Sequence, residues 1–489
     1  MRSLYLGADI GTTSAKCLAV SEDGRILAAA QQPYPLSHPR QDWAEQDAQD
    51  YWRGLVTVVT QCVQACRDQG RPPADIAALA LSTQGDTLIV TDEAGNALAP
   101  AMTWMDSRAQ AQHRRLLAET GASFWYRETG ARLARLSSAC KIRWIAETAP
   151  KLKSRIRRFC WVSDFLAHRL CGRFVADVPS ASWTPLYSPV KRRWSADVMR
   201  VLEVPPESLP EVVESGAPIG PLLPEAAAAL QLTPQVMLAA GAFDQAAAAH
   251  GAGAKPAGTS VLSCGTAWVV YAVTDTPVVD EREQIPICCH TSPGTWGMVL
   301  PFTGGAAYDW FHRTFERGAS QATSGARQPV FIPHLYGGLA PDWREESQGS
   351  LLGLNIAHTW DDVRTAVMRG LACEARRNVE AAERMCGRIP SLRLVGGAGK
   401  SESWPQLIAD VLDRRVEVSP YAEAACYGAA KLAAGAAASE WDRAQGAREF
   451  APRPERTETE HRAYARYLRF YEALLPVYSE AMPAGDTAD

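Results

Sequence analysis

The chain has 12 cysteines and no Cys-x-x-Cys pair. Zinc sites want two spaced pairs, so a zinc-organised fold is excluded. The cysteines, at 17, 62, 66, 140, 160, 171, 264, 288, 289, 373, 386 and 426, read as small buried thiols of a reducing compartment. A metal reading competes only at Cys62 and Cys66, one helical turn apart, and at Cys288-Cys289-His290. No stretch reaches the roughly 18 consecutive apolar residues of a membrane span. The opening Met1-Arg2-Ser3-Leu4-Tyr5-Leu6-Gly7-Ala8 has one basic residue and meets Asp9 before a signal-peptide core could form, so a cytoplasmic chain is expected. Positive charge is not in excess. The net charge of −4 gives no basic field for a nucleic acid.

What is present is ordinary globular material. Hydrophobic residues make up 47%, enough to exclude whole-chain disorder. A length of 489 residues fits two large domains. The 15 tryptophans suit either large cores or sugar-stacking pockets. Residues 4–8, 16–20 and 26–30 read as strands, the last two joined by a turn at 22–25. Residues 47–69 carry apolar side chains at helical spacing behind Asp47 as N-cap. A buried strand follows at 76–81 and a hairpin at 88–96. Strands crossed over by a helix make the fold class α/β. A short repeat pairs Gly11-Thr12 in the opening segment with Gly265-Thr266 in the middle, each followed by a strand. It suggests two domains of similar design, 1–245 and 246–489, with the boundary among the glycines of 245–255. Residues 203–224, rich in proline and acids, read as an irregular crossing. Residues 236–242 read as a strand, 458–481 as an amphipathic helix that packs on a domain, with a return to the first domain as one option, and 483–489 as a frayed tail.

Five places could carry chemistry. In Asp9-Ile10-Gly11-Thr12-Thr13-Ser14-Ala15-Lys16, a tight turn can face a phosphate with its amides and hydroxyls. Asp9 could hold a Mg²⁺-bound water and Lys16 a phosphoryl oxygen. An ordinary hairpin is the plain alternative. Ser263-Cys264-Gly265-Thr266 repeats the logic without the acid, and two such hairpins across a cleft could grip a triphosphate. Gly396-Gly397-Ala398-Gly399-Lys400-Ser401 follows a strand and precedes a helix. It lacks the spacing of a P-loop and of the dinucleotide fingerprint. What remains is a bare glycine loop on which a nucleotide could lie, or a plain tight turn. Gly241-Ala242-Phe243-Asp244-Gln245 puts an acid at a strand end, a general base or an N-cap, before four alanines that permit close packing. Gln84-Gly85-Asp86-Thr87 and Trp104-Met105-Asp106-Ser107-Arg108 offer sugar contacts, with a local salt bridge the alternative for Asp106 and Arg108.

Taken in order, these motifs resemble those of the FGGY carbohydrate kinases over residues 4–435. That resemblance implies two ribonuclease H-like domains of the actin/hexokinase type flanking a cleft. The phosphate hairpin is similar at Asp9, Gly11, Thr12, Thr13 and Lys16, the substrate loop at Trp104, Asp106 and Arg108, and the catalytic segment at 241–245. The second phosphate hairpin resembles Cys264-Gly265-Thr266-Ala267, and the phenylalanine–proline loop resembles Phe331-Ile332-Pro333-His334-Leu335-Tyr336-Gly337. The adenosine loop is similar at 396–401 with Trp404, Gln406, Ala409 and Asp410, and a late Glu-x-x-x-x-Gly-Ala-Ala at Glu423 and 428–430. The implied reaction is ATP-dependent phosphorylation of a small sugar or polyol hydroxyl. Asp244 is the implied base, and Mg²⁺ is anchored by Asp9 directly or through water. Thr12, Thr13, Lys16, Gly265 and Thr266 take the phosphates, and Gly396, Gly397, Ala398 and Lys400 the adenosine. Gln84, Asp86, Trp104, Asp106, Arg108 and Gln245 take the sugar. The sugar loop departs from pattern: Gln84-Gly85-Asp86-Thr87 is neither the Gln-Met-His-Gly of xylulose kinases nor the Gln-Arg-Glu-Thr of glycerol kinases. The phenylalanine–proline loop also ends differently, in Gly338-Leu339-Ala340-Pro341. A ketopentose such as xylulose is favoured over ribulose, a hexulose, a sugar acid or a polyol. An actin-like ATPase acting on a partner is the second reading. A sugar-responsive regulator is the third, disfavoured because the hairpin starts by residue 9. Neither a nucleic acid nor a membrane is an expected partner. Oligomeric state is not readable, a homodimer being one option.

Overall fold

A computed structural model describes residues 3–315, 327–443 and 446–480. It divides into two compact units. Unit 1 comprises Met1–Ala257, Val273–Gly297 and Glu423–Gln445; unit 2 comprises Gly258–Ala272, Met298–Ala422 and Gly446–Asp489.

Unit 1 is built on a six-stranded sheet. Its order is Pro218–Pro221, Met237–Phe243, Ile76–Thr83, Leu4–Ile10, Ser14–Ser21, Ile26–Pro33. The last three strands form an antiparallel meander, while Ile76–Thr83 lies parallel to both Leu4–Ile10 and Met237–Phe243. Helix Ala48–Asp68 begins where Asp47 accepts from the Gln49 amide at 2.9 Å. Tyr51, Leu55, Val58, Val59 and Cys62, spaced along one helix face, join the core with Leu6, Ala8 and Leu79. Register sets the level of the chemistry. Asp9 stands opposite Lys16 on one side and Ser82 on the other, and Phe243 stands opposite Thr83. A bulge between Ala239 and Ala242 re-aims the end of the third parallel strand.

Two sequence expectations need correction. The crossing at 203–224 contains two strands. Glu211–Val213 pairs in parallel with Val175–Asp177, and Pro218–Pro221 is an edge of the main sheet. Proline is tolerated at an edge, where one side needs no donor. The turn at 92–96 exists, with Thr91 bridged to Ala97, but Ile89–Thr91 takes its strand partner from Arg158–Cys160.

Helix Asp244–Gly251 packs on helix Ala424–Ala434, and the alanine run gives the close approach expected of it. At Gly428 a side chain is impossible without moving backbone: an added Cβ would lie 1.9 Å from the Ala247 carbonyl oxygen.

In unit 2, five consecutive strands of a seven-stranded sheet run in the order Ala267–Thr274, Ser260–Cys264, Ser391–Gly396, Arg415–Val418, Arg448–Phe450. Hairpin strand Ser260–Cys264 runs parallel to Ser391–Gly396, which repeats the plan of unit 1. Helix Trp360–Cys386 starts with a capping box between Thr359 and Asp362. The closing helix, Pro454–Glu480, binds through Tyr464 to Glu380 (2.8 Å), Tyr471 to Asp342 (2.9 Å) and Glu460 to Arg369 (2.9 Å). Every partner just named lies in unit 2. The tail at 483–489 lies outside the described residues.

Tyr467 also donates to Glu374, a fully buried carboxylate held by Arg377 at 2.8 Å and His334 at 3.3 Å. Burial alone would raise the Glu374 pKa; Arg377, His334 and Tyr467 outweigh it and hold it at about 2. A carboxyl lowered on folding stabilises above its ordinary range, and that contribution is lost only as pH falls toward 2. Glu374→Ala leaves the buried Arg377 with Asp342, at 3.0 Å, as its remaining carboxylate and takes the acceptor from Tyr467, and should cost about 3 kcal/mol at pH 7 in urea unfolding. A loss below about 1 kcal/mol would refute this account of the closing helix.

Candidate active site

The opening hairpin is tied down from below. Gly11 N–H donates to the Ser14 carbonyl at 3.1 Å, and Tyr34 donates its hydroxyl to the Gly11 carbonyl. The Gln84 side chain donates to the Gly11 carbonyl (3.2 Å) and accepts from the Thr12 hydroxyl (3.2 Å) and Thr87 hydroxyl (3.0 Å). Trp104, 42% exposed, donates its indole N–H to the Thr12 hydroxyl at 2.8 Å. Gln84 therefore braces the hairpin rather than pointing a free amide outward. Thr13 at the tip is exposed. Asp9 accepts from Ser82 at 2.7 Å, and Lys16 is bonded to Glu423 at 2.6 Å. Glu423 is the N-cap residue of helix Ala424–Ala434.

Asp244 opens helix Asp244–Gly251 and is half-buried. Burial and the neighbouring charge of Asp9 push its carboxyl up to about 7, against donation from Gln245. Asp9 is raised too, chiefly by burial. Gln245 donates its side-chain amide to Asp244 at 3.3 Å, and its own carbonyl oxygen, Oε1, is buried with no partner. Phe243 stacks on Trp183 with ring centroids 5.2 Å apart and 2° between planes. The same indole lies against Gly85, where an added Cβ would meet Trp183 Cδ1 at 2.4 Å. Trp183 thus joins the 84–87 loop to the strand end that carries Asp244.

Asp86 takes a left-handed φ of 50° and accepts from the Ser138 amide at 3.0 Å and the Trp161 indole at 3.4 Å. Burial raises its carboxyl against the charge of Lys141. Lys141 is fully buried, donates to the Thr103 carbonyl at 2.7 Å and is pushed down to about 8 by burial. The Ser138 hydroxyl is buried and unpartnered. Asp106 and Arg108 also act on the charge of Lys141, but their own bonds go elsewhere. Asp106 is fully buried, accepts from the Ala44 amide at 2.8 Å and pairs with Arg108 at 2.6 Å. Arg108 also pairs with Glu45 at 2.7 Å and lies 3.6 Å over the Trp43 ring. The local salt bridge is the arrangement seen, so these two position the loop bearing Trp104.

In unit 2, Gly265 and Thr266 form an exposed hairpin tip. Their carbonyls accept from Gly305 (3.1 Å) and Ala306 (2.9 Å), which open helix Gly305–Thr314. Gly396 at φ 92° ends its strand beside Cys264, and residues 397–400 make one tight helical turn. Gly397 and Lys400 are exposed and Ala398 is half-buried. Trp268, Trp404 and Tyr308 pack edge to face behind these loops at 5.2–5.3 Å. Both tips therefore present bare backbone on a rigid aromatic floor.

The sequence did not mark Trp183, Ser138, Trp161, Lys141 or Tyr308. Only the tryptophan surplus hinted at two of them. The metal reading of Cys288-Cys289-His290 fails. Cys288 donates to the Gly297 carbonyl, Cys289 to the Pro189 carbonyl, and His290 meets the Ala254 carbonyl at 2.8 Å. Cys62 donates to the Cys17 carbonyl, and all 12 cysteines are free. Among the described residues no group of three His, Cys, Asp or Glu could hold a metal, and no helix is long and apolar enough to cross a membrane.

Comparisons with known proteins agree with this geometry. The chain is 27% identical over 441 residues to a xylulose kinase of Escherichia coli, covering 88% of this chain and 89% of that one. It is 24% identical over 453 residues to a gluconokinase of Bacillus subtilis, covering 88% and 87%. The crystal structure of a "xyloylose kinase" from Brucella ovis superposes with a TM-score of 0.88 at 27% identity, covering 97% of this chain and 100% of that one. That structural likeness fixes the two-domain α/β architecture of the actin/hexokinase type. Residues 4–251 match the N-terminal domain of the FGGY family of carbohydrate kinases and residues 260–437 its C-terminal domain. The chain belongs to the FGGY family of carbohydrate kinases and is an ATP-dependent phosphotransferase.

Proposed function

We propose that the chain transfers the γ-phosphoryl group of ATP to a hydroxyl of a small neutral sugar, a ketopentose such as xylulose first, with Asp244 accepting the hydroxyl proton. The observation that carries this reading is the pair at the end of strand Met237–Phe243. Asp244 titrates at about 7, and beside it the buried Gln245 Oε1 waits for a donor. A sugar hydroxyl supplies that donor, and a base poised near working pH can take up its proton. The Ser138 hydroxyl, also unpartnered, and the raised carboxyl of Asp86 give further contacts for hydroxyls. The Trp183 face and the exposed Trp104 suit the apolar side of a sugar ring or chain. Asp86 also disfavours a sugar acid, whose carboxylate would meet a carboxyl.

The donor chemistry of this corner fits Mg²⁺. The charge of Asp9 raises the Asp244 pKa, Asp9 itself is raised chiefly by burial, and Lys16, bonded to Glu423, offsets that only in part. Two carboxylates with raised pKa values, Asp9 and Asp244, supply hard oxygens that suit a small divalent cation. When bound, Mg²⁺ would offset charge on the phosphate oxygens, held by Asp9 directly or through water. The hairpin tip at half-buried Thr12 and exposed Thr13 would take phosphate oxygens. In unit 2, Gly265 and Thr266 would do the same, and Gly396, Gly397, Ala398 and Lys400 would carry the adenosine.

The test is coupled ADP release with Mg-ATP over a panel of ketoses, polyols and sugar acids, beside a no-sugar control. One neutral ketose should raise ADP release far above the control. An equal rate in every well would overturn the sugar-kinase reading and favour an ATPase acting on a partner. Stimulation by gluconate alone would reverse the role given to Asp86.

A further inference from the structure

One cavity of unit 2 shares no residue with the candidate active site. It measures 510 Å³ and lies among strand Val330–Ile332, helix Trp360–Cys386 and the closing helix. Five arginines line it, Arg327, Arg369, Arg456, Arg462 and Arg466, and no Asp or Glu does. Neutralisation from outside the lining is incomplete. Arg369 and Arg456 divide one buried carboxylate, Glu460, each at 2.9 Å. The Arg456 Nε is buried with no partner. Arg466 donates to the backbone carbonyl of Gln328 at 2.5 Å, and no carboxylate pairs with it or with Arg327 among the described residues. Burial and the like charges of Arg327 and Arg469 lower the Arg466 pKa, which shows the guanidiniums crowding one another. Arg462 has only an exposed contact to Glu458 at 3.7 Å. Five forked donors around so little negative charge call for an anion with several oxygens. The volume exceeds what a bare phosphate needs and falls in the range of small-metabolite pockets. Thr365, Thr459 and Gln328 add neutral polar groups to the wall.

We propose that this cavity is a second ligand site, one that binds a phosphate monoester of a small polyhydroxy molecule. The experiment is titration calorimetry on the full-length protein without ATP or Mg²⁺, using a pentulose 5-phosphate, inorganic phosphate and the unphosphorylated pentulose as probes. Arg327 is exposed and the Arg462 side chain is 72% exposed, so the Arg327→Glu/Arg462→Glu variant should fold with an unchanged unliganded melting temperature. The wild type should bind the ester more tightly than inorganic phosphate, with affinity falling as salt rises. Charge reversal should weaken the ester at this site at least about tenfold, which is about 1.4 kcal/mol. Arg327→Lys/Arg462→Lys should keep most of the affinity. Because the active site is untouched by either variant, any binding of the ester there persists as a separate event. Equal ester binding by wild type and charge-reversed protein would overturn the proposal. So would no ester binding at all, or equal binding of the unphosphorylated sugar. Inorganic phosphate binding as tightly as the ester would overturn the ester assignment.

Discussion

Asp244→Asn should lower kcat about 10²–10⁴-fold while leaving the dissociation constant for ATP near its wild-type value. The substitution keeps shape and hydrogen-bonding capacity but removes the basic oxygen. Gln245 N–H donates to Asp244 Oδ1 at 2.8 Å, and the asparagine carbonyl can still accept it. The nucleotide contacts assigned to Gly396, Gly397 and Ala398 involve other residues altogether. Stability should move the opposite way. Asp244 is raised on folding from the ordinary aspartate value of 3.8 to about 7, so the native state binds the extra proton between those values. Stability therefore falls as pH rises through that window, and the charged form is the destabilising one. The ligand-free Asn variant should melt higher than wild type at pH 8, with the gap closing toward pH 4. A variant that turns over at the wild-type rate would remove Asp244 from the mechanism.

Gly428→Val should be among the most damaging single changes to unit 1. Its Cβ would fall 1.9 Å from the Ala247 carbonyl oxygen, and backbone cannot rotate away as a side chain can. The same interface has no slack nearby: a Cβ on Gly251 would lie 2.0 Å from the Ala424 carbonyl oxygen, and one on Gly7 2.0 Å from that of Cys426. Helix Ala424–Ala434 would have to lift from both helix Asp244–Gly251 and strand Leu4–Ile10. A cost of about 3 kcal/mol or more is expected, at the top of the overpacking range. The loss should reach the chemistry, because Glu423 heads that helix and holds Lys16 at 2.6 Å beside Asp9. Urea unfolding and ATP titration together check it. A midpoint within error of wild type would show that the helices separate freely.

Local signals carried much of this far. Asp47, the period of the following helix and the strand ends at Asp9 and Asp244 were readable because each depends on near neighbours in sequence. The echo of Gly11-Thr12 in Gly265-Thr266 announced two units of one design, as the parallel pairings show. Other features depend on contacts distant in sequence. Asp86 meets Ser138 and Trp161 across 52 and 75 positions, and no spacing rule links them. Gln84 read as a sugar ligand because an amide can face either way; only the hairpin contacts show it turned inward. Asp106 and Arg108 carried two meanings at the same spacing, and burial separates them. The prolines of 203–224 suggested irregularity because the sequence does not reveal which strand will be an edge.

The central claim is that Asp244 takes the acceptor proton with a pKa set by burial and by Asp9. It is tested most directly by the pH dependence of kcat/KM for the acceptor sugar at saturating Mg-ATP. The account predicts a rise of about tenfold per pH unit on the acid side, bending to a plateau near pH 7. A profile flat from pH 5 to pH 9, on a scale of about four units around that bend, would contradict it.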